Sequence, residues 1–207
     1  MVTMYLSRSD PDQQTILDQM FADRKTVFVD TLKWTVPVLD GKYEIDEFDL
    51  PETRYVVIVD GARRHLASAR ILPTTGPHLL RSIFPQLCCG PIPIGRSTAE
   101  ITRFCLSPDI PSQHRRQVRN RLVTALAEYA LEHAIETFTG VAEHRWFTQI
   151  ARFGWTCSSL ADQAQAHTRS LVAFRIDIGH DTLRKLEATG IHTADQTYNS
   201  IPVREAV

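Results

Sequence analysis

The spacing of apolar positions changes several times along the chain, and each change predicts an element. After Pro11, the residues Ile16, Met20, Val27 and Phe28 recur at helical intervals, which predicts an N-terminal helix capped by Ser9 or Asp10. In "DGKYEIDEFDLPE" (40–52) the stripe is gone: Tyr43, Ile45, Phe48 and Leu50 alternate with acids, the pattern of a loop folded over something. "RYVVIVD" (54–60) and "RHLASARIL" (64–72) predict two strands joined at Asp60-Gly61, a hairpin signal. A third strand is predicted at "AEITRFCLS" (99–107), where alternation puts Ile101, Arg103 and Cys105 on one face and Glu100, Thr102 and Phe104 on the other.

Beyond Pro111 the period returns to helical. Val118, Leu122, Leu126, Tyr129 and Ala130 line one face of a long helix with Ser112 at its N-cap. "ETFTGVA" (136–142) reads as a strand, "HRWFTQIARFG" as a helix stopped by Gly154 at C′, and "RSLVAFRID" (169–177) as another strand. Hairpin links early and crossovers late predict an α/β fold, a three-layer α-β-α sandwich around a mixed sheet. A single domain over 1–190 is expected, with 191–207 a mobile C-terminal tail, since that stretch is polar and patternless.

Composition narrows the function classes. With 207 residues, 43% hydrophobic and a net charge of −1, the chain suits one globular domain and lacks the basic excess of a nucleic-acid binder. No apolar run approaches a membrane span, and "MVTMYLSRSDPDQQ" lacks a secretory apolar core, so a cytoplasmic protein is expected. Cys88, Cys89, Cys105 and Cys157 form no CxxC pair, which predicts buried or half-buried reduced thiols and no metal site.

Three clusters are candidates for chemistry. The 40–52 segment carries a net charge of −5 and lies just after Arg24, Phe28 and Trp34. Arginine pairs carboxylates bidentately and an aromatic face attracts a cation, so a zwitterionic or cationic ligand would use both; a plain solvated acidic face is the competing reading. Glu100 on its strand is either an edge charge or, if partly desolvated, a general base. Arg115, Arg116, Arg119 and Arg121 crowd the start of the long helix, where cations oppose the macrodipole but favour a phosphate; solvated arginines, good helix formers, are the competing reading.

Together these segments resemble the acyl-homoserine-lactone synthases, the autoinducer synthases of bacterial quorum sensing, from about Met20 to Arg175. "RKTVFVDTLKW" carries Arg24, Phe28 and Trp34; "EIDEFD" carries Asp46 and Asp49; "RILPTTGPHLL" begins at Arg70 and runs on to Phe84 and Pro85; "EITRF" carries Glu100, Arg103 and Phe104. No one motif is decisive; their order and spacing together make the resemblance strong.

The resemblance implies an N-acetyltransferase-like fold and an acyltransferase that joins an acyl chain, carried on acyl carrier protein or coenzyme A, to S-adenosylmethionine. Methylthioadenosine is released, and no cofactor is needed because S-adenosylmethionine is itself a substrate. It implies that Arg24, Phe28, Trp34, Asp46, Arg103 and Phe104 meet S-adenosylmethionine, with Asp49 and Arg70 beside them and Glu100 as the base, directly or through water. Arg24 and Arg103 would hold the substrate carboxylate or stabilise neighbouring acids. Asp46 and Asp49 would face the ammonium or sulfonium or tie down the arginines. Phe84, Phe104, Gly140, Ala142, Trp146 and Ile150 would line the acyl pocket, and Arg115, Arg116 and Arg119 would receive the carrier. Gly140 falls where synthases of 3-oxo chains carry a threonine, which implies a chain without that oxygen. Two rivals stand beside this reading: an N-acyltransferase using another amine without lactonisation, and a non-catalytic module binding through the Arg-rich helix.

Overall fold

A computed structural model describes residues 1–9, 11–161 and 170–192. Its first half runs β1 (Val2–Ser7), α1 (Gln14–Arg24), a π-helical segment (Lys25–Thr31), β2 (Val38–Leu39), β3 (Tyr43–Glu44), β4 (Arg54–Val59), β5 (His65–Pro73) and a short α2 (Leu79–Ser82). Then come β6 (Thr98–Leu106), α3 (Ser112–Glu132), β7 (Thr137–Glu143), α4 (His144–Ile150), β8 (Thr156–Ser159), β9 (Leu171–Asp177) and α5 (Thr182–Ala188). Seven strands form one sheet in the order β1-β4-β5-β6-β7-β9-β8, and β2 with β3 makes a separate two-stranded ribbon. The large sheet is mixed, as expected: β6 and β7 are parallel, while β1 with β4, β7 with β9 and β8 with β9 are antiparallel. Helices flank it, giving the predicted sandwich. The parallel pair is connected through α3, the kind of crossover such a pair requires.

The chain divides into two compact units, of which the first comprises Met1–Arg70 with Arg103–Ala125. In it α1 seats Ile16, Leu17, Met20 and Phe21 against Leu6, Tyr55, Val57 and Val59. Val56 and Ile58, which alternate to the other face of β4, are also fully buried, so this strand is covered on both sides. The predicted N-terminal helix differs at both ends. Pro11–Gln13 is a 3₁₀ turn and Gln13, not Ser9, holds the cap position, without a side-chain bond; Asp10 lies outside the described residues. The α-helix stops at Arg24 and widens into the π segment, where Leu32 N donates to Val27 O at 2.9 Å, five residues back. The hairpin after β4 is longer than its Asp-Gly suggests. Asp60 Oδ1 accepts from Ala62 N and Arg64 N, both at 2.9 Å, and Arg63 rather than Gly61 takes the left-handed conformation.

The second unit comprises Ile71–Thr102 with the chain from Leu126 onward. Here Leu80 and Leu87 pack on Ala173 with Phe84, Val141 and Leu171 around them. Gly154 is needed for a reason other than helix arrest: α4 already ends at Ile150, and a β-carbon at Gly154 (φ +109) would lie 2.5 Å from Lys185 O. The helix α3, which spans both units, begins at Ser112 itself, and its residues Leu122–Ala127 are all buried, a broader face than the single stripe predicted. Strands β1 and β8, at the two edges of the sheet, were not expected from their mixed patterns. Cys105 is buried and Cys88 and Cys157 half-buried, but Cys89 is exposed, against expectation. The tail from 193 lies outside the described residues.

Candidate active site

Six charged side chains of the first unit close on one another. Arg24 donates through Nε to Glu44 Oε2 at 2.6 Å, and through its two Nη atoms to Asp49 at 3.0 and 2.9 Å. Arg70 binds Asp46, with Nη2 at 3.1 Å from Oδ2, and also reaches Asp49 at 3.0 Å. Arg103 completes the set, with Nε to Glu44 Oε1 at 2.9 Å and Nη2 to Asp46 Oδ2 at 2.6 Å. Three guanidiniums thus face three carboxylates, and Tyr55 OH adds a bond to Asp49 at 2.8 Å. The side chains of Arg24, Glu44, Asp49 and Arg70 are at most 1% exposed, whereas that of Arg103 is 7% exposed. Charges so deeply buried are tolerable only when paired this completely.

The local sequence explains the closure. Asp49 N bonds Asp46 O, and Asp46 N donates to Asp49 Oδ2 at 2.9 Å, so the "DEFD" turn presents both aspartates to one side. Alternation through β3 buries Glu44 beside them. Arg103 has φ +52 in the middle of β6, an uncommon conformation for a residue with a β-carbon, and this interrupts the strict alternation expected for the strand. Burial alone would push the Asp49 carboxyl up, but the charges of Arg24 and Arg70 and the bonds it accepts hold it well below the usual carboxylate range. Burial likewise works against the charge on Arg24, but Asp49 and Glu44 outweigh it and hold that guanidinium above its ordinary value. Burial first, and then the Asp49 charge, push the Tyr55 phenol far up, so it stays a donor.

An aromatic wall borders the network. The Arg103 guanidinium lies 5.7 Å from the centre of the Phe28 ring, and Phe28 stacks on Trp34 with centroids 4.8 Å apart and planes 9° from parallel. The π segment produces this stack: its wide turn ends with Trp34 N donating to Phe28 O at 2.8 Å, with Lys33 left-handed in between. Phe28 is buried and Trp34 is 36% exposed, so the pair presents an open ring face. Arg24, Phe28, Trp34, Asp46, Asp49, Arg70 and Arg103 are therefore brought together as the sequence suggested. Two members were missed. Glu44 and Tyr55 have no motif of their own, although three buried arginines and two aspartates call for a third carboxylate.

The remaining candidates fall elsewhere. Glu100, fully buried, lies in the second unit, where its oxygens accept from Leu79 N at 2.6 Å and Leu80 N at 2.7 Å. Phe104 follows Arg103 on β6 and is half-buried. In β7, Gly140 and Ala142 lie on one face and Val141 on the other, and Val141 and Phe84 each pack against the cluster of Leu80, Leu87 and Ala173. A β-carbon on Gly140 would lie 2.6 Å from Phe174 Cζ and 3.0 Å from Ile101 O. Phe147 of α4 approaches Phe174 at 6.2 Å, Trp146 is half-buried against Phe153, and Ile150 is buried. At the start of α3, Arg115 Nη1 is bound to Ser107 O at 3.0 Å and Arg121 to Thr3 Oγ1 at 2.6 Å. Arg119 is half-buried beside Asn120, and Arg116 is exposed.

The autoinducer synthase family model matches residues 9–186. An acyl-homoserine-lactone synthase of Rhizobium etli is 34% identical over 174 residues, 83% of this chain and 81% of its own. Among solved structures, the CoA-dependent acyl-homoserine lactone synthase BjaI, determined with SAM and isopentyl-CoA, superposes with a TM-score of 0.78 at 25% identity, covering 93% of this chain and 90% of that one. An acyl-CoA N-acyltransferase from Pseudomonas aeruginosa shares the fold, with a TM-score of 0.54 at 15% identity over 84% of this chain and 97% of its own. The match to the family model and to a relative over most of both lengths, on an N-acetyltransferase-like sandwich with the expected arginines and acids assembled, leads to one conclusion: the chain belongs to the autoinducer synthase family, as an acyl-homoserine-lactone synthase.

Proposed function

We propose that the enzyme transfers an acyl group from a thioester, on acyl carrier protein or coenzyme A, to the α-amine of S-adenosylmethionine, and that lactone closure then releases 5′-methylthioadenosine. The amine attacks the thioester carbonyl and the carrier thiol departs, taking up a proton. The substrate carboxylate next displaces the sulfonium from the γ-carbon, a step that needs alignment rather than a cofactor. The observation that carries this reading is the pairing of a closed charge network with an open aromatic face. Arg24 and Arg70 are committed to carboxylates, so they hold Asp46 and Asp49 in place, and those acids in turn tie down the arginines. Arg103 also bonds Glu44 and Asp46, but it is the most exposed of the three guanidiniums and is assigned to the substrate carboxylate, with the Trp34 ring assigned to the sulfonium.

The acyl chain is assigned to the face of β7 that carries Gly140 and Ala142, with Trp146 and Ile150 as further lining. The Phe174 ring occupies the space a side chain at 140 would need, which supports a donor without a 3-oxo group. Arg116 and Arg119 are assigned to the carrier, since Arg115 is held by Ser107 O. The synthase domain is read as 1–190, acting in the cytoplasm where both substrates occur. Purified protein given S-adenosylmethionine and a panel of acyl donors is expected to yield equimolar lactone and methylthioadenosine by mass spectrometry. An acylated amine without methylthioadenosine would instead mark an N-acyltransferase.

A further inference from the structure

We infer that Glu100 is a positioning residue, which pins the α2 turn behind the acyl-binding strands, and not the base that takes the substrate proton. Its carboxylate is fully buried and accepts from two consecutive backbone amides, Leu79 N at 2.6 Å and Leu80 N at 2.7 Å. Those are the first two N–H groups of α2, which have no partner within a helix, and His78 before them makes no side-chain cap bond. Glu100 therefore serves as the missing cap from another element, one carboxylate oxygen to each amide.

The turn so held has a defined neighbour. Leu80, fully buried, packs on Ala173 with Val141 beside it. Val141 and Ala173 are paired across β7 and β9, next to the paired Gly140 and Phe174 on the opposite face of the same two strands. Glu100 is itself in register with Thr139, one residue earlier on β7. Its charge thus fixes the layer that backs the surface assigned above to the acyl chain, and the inference rests on that assignment.

Three variants separate the possibilities. Glu100→Gln keeps the shape but places an amide N–H2 against a backbone donor. Leu79→Pro deletes one donor at a position where proline suits a helix start, and His78 (φ −149, ψ 157) already has the extended conformation that precedes a proline. Ala142→Leu probes the assigned acyl surface directly. The expected result is that Glu100→Gln and Leu79→Pro each lower kcat/KM for the acyl donor about tenfold and that the double variant loses little more. KM for S-adenosylmethionine and the midpoint of the acid limb of the pH–rate profile are expected to stay as in the parent, and amide hydrogen exchange across 79–84 to quicken in Glu100→Gln. Loss of the acid limb in Glu100→Gln, with Leu79→Pro fully active, would make Glu100 the base and overturn the inference. Unchanged kinetics in both single variants would overturn it as well, reducing the contact to a fold-stabilising one. If Ala142→Leu leaves donor selectivity untouched while the other two variants behave as expected, only the placement of the acyl chain is lost.

Discussion

Glu44 is bonded to both Arg24 and Arg103 and is fully buried, so Glu44→Gln leaves three buried guanidiniums facing two carboxylates, with Arg24 kept by Asp49 and Arg103 by Asp46. The expected cost is about 3–5 kcal/mol, that of an uncompensated buried charge, read as a lower urea midpoint at an unchanged slope. Asp49 gives a test in pH. Its folded carboxyl is held below the ordinary value, so the unfolded chain takes up the proton first as pH falls. The contribution is complete at neutral pH and is lost progressively below about pH 4, the range of an unperturbed aspartate. Asp49→Asn is therefore expected to be less stable at pH 7 but to show a shallower acid slope in urea titrations between about pH 2.5 and 7. At this scale the sequence made five of the six network charges recognisable, because they sit in motifs. Glu44 escaped because in a run of acids nothing local distinguishes a buried member from a solvated one.

Between residue and fold, the β7–β9 pair offers a packing test. Gly140→Ala would push a methyl group into the Phe174 ring and close to Ile101 O, with an expected loss of about 1–3 kcal/mol from overpacking. Phe174→Leu in the same chain is expected to restore part of it, because the ring can be removed while the carbonyl cannot, and thermal denaturation of the parent and the two variants checks this. Long elements were legible: the periodicity of α3 and the apolar runs of β4 and β5 each predicted the right element within a few residues. The π segment was not. Val27 and Phe28 fit a continuing helical stripe, and only the tertiary fit of Phe28 under Trp34 reveals that the turn has widened. The two edge strands were hidden for a related reason, since an edge strand pairs on one side and needs no clean alternation.

For the molecule as a whole, the order of strands and helices was enough to predict a mixed sheet between helices, because hairpins and crossovers leave different traces in the chain. Surface electrostatics supply the matching functional test. Arg116→Ala is expected to raise KM for a carrier-protein donor several-fold at low salt, with the difference from the parent shrinking as ionic strength rises and Tm unchanged. Arg115→Ala is expected to lower Tm instead, since its contact with Ser107 O is lost. The buried sextet of Arg24, Glu44, Asp46, Asp49, Arg70 and Arg103 has a consequence for how the molecule can change over generations. Every member answers to at least one other, so a lone replacement passes through a crippled ancestor. Such a knot can be inherited whole or rebuilt by simultaneous swaps, and it anchors the lineage while the surface around it is free to drift.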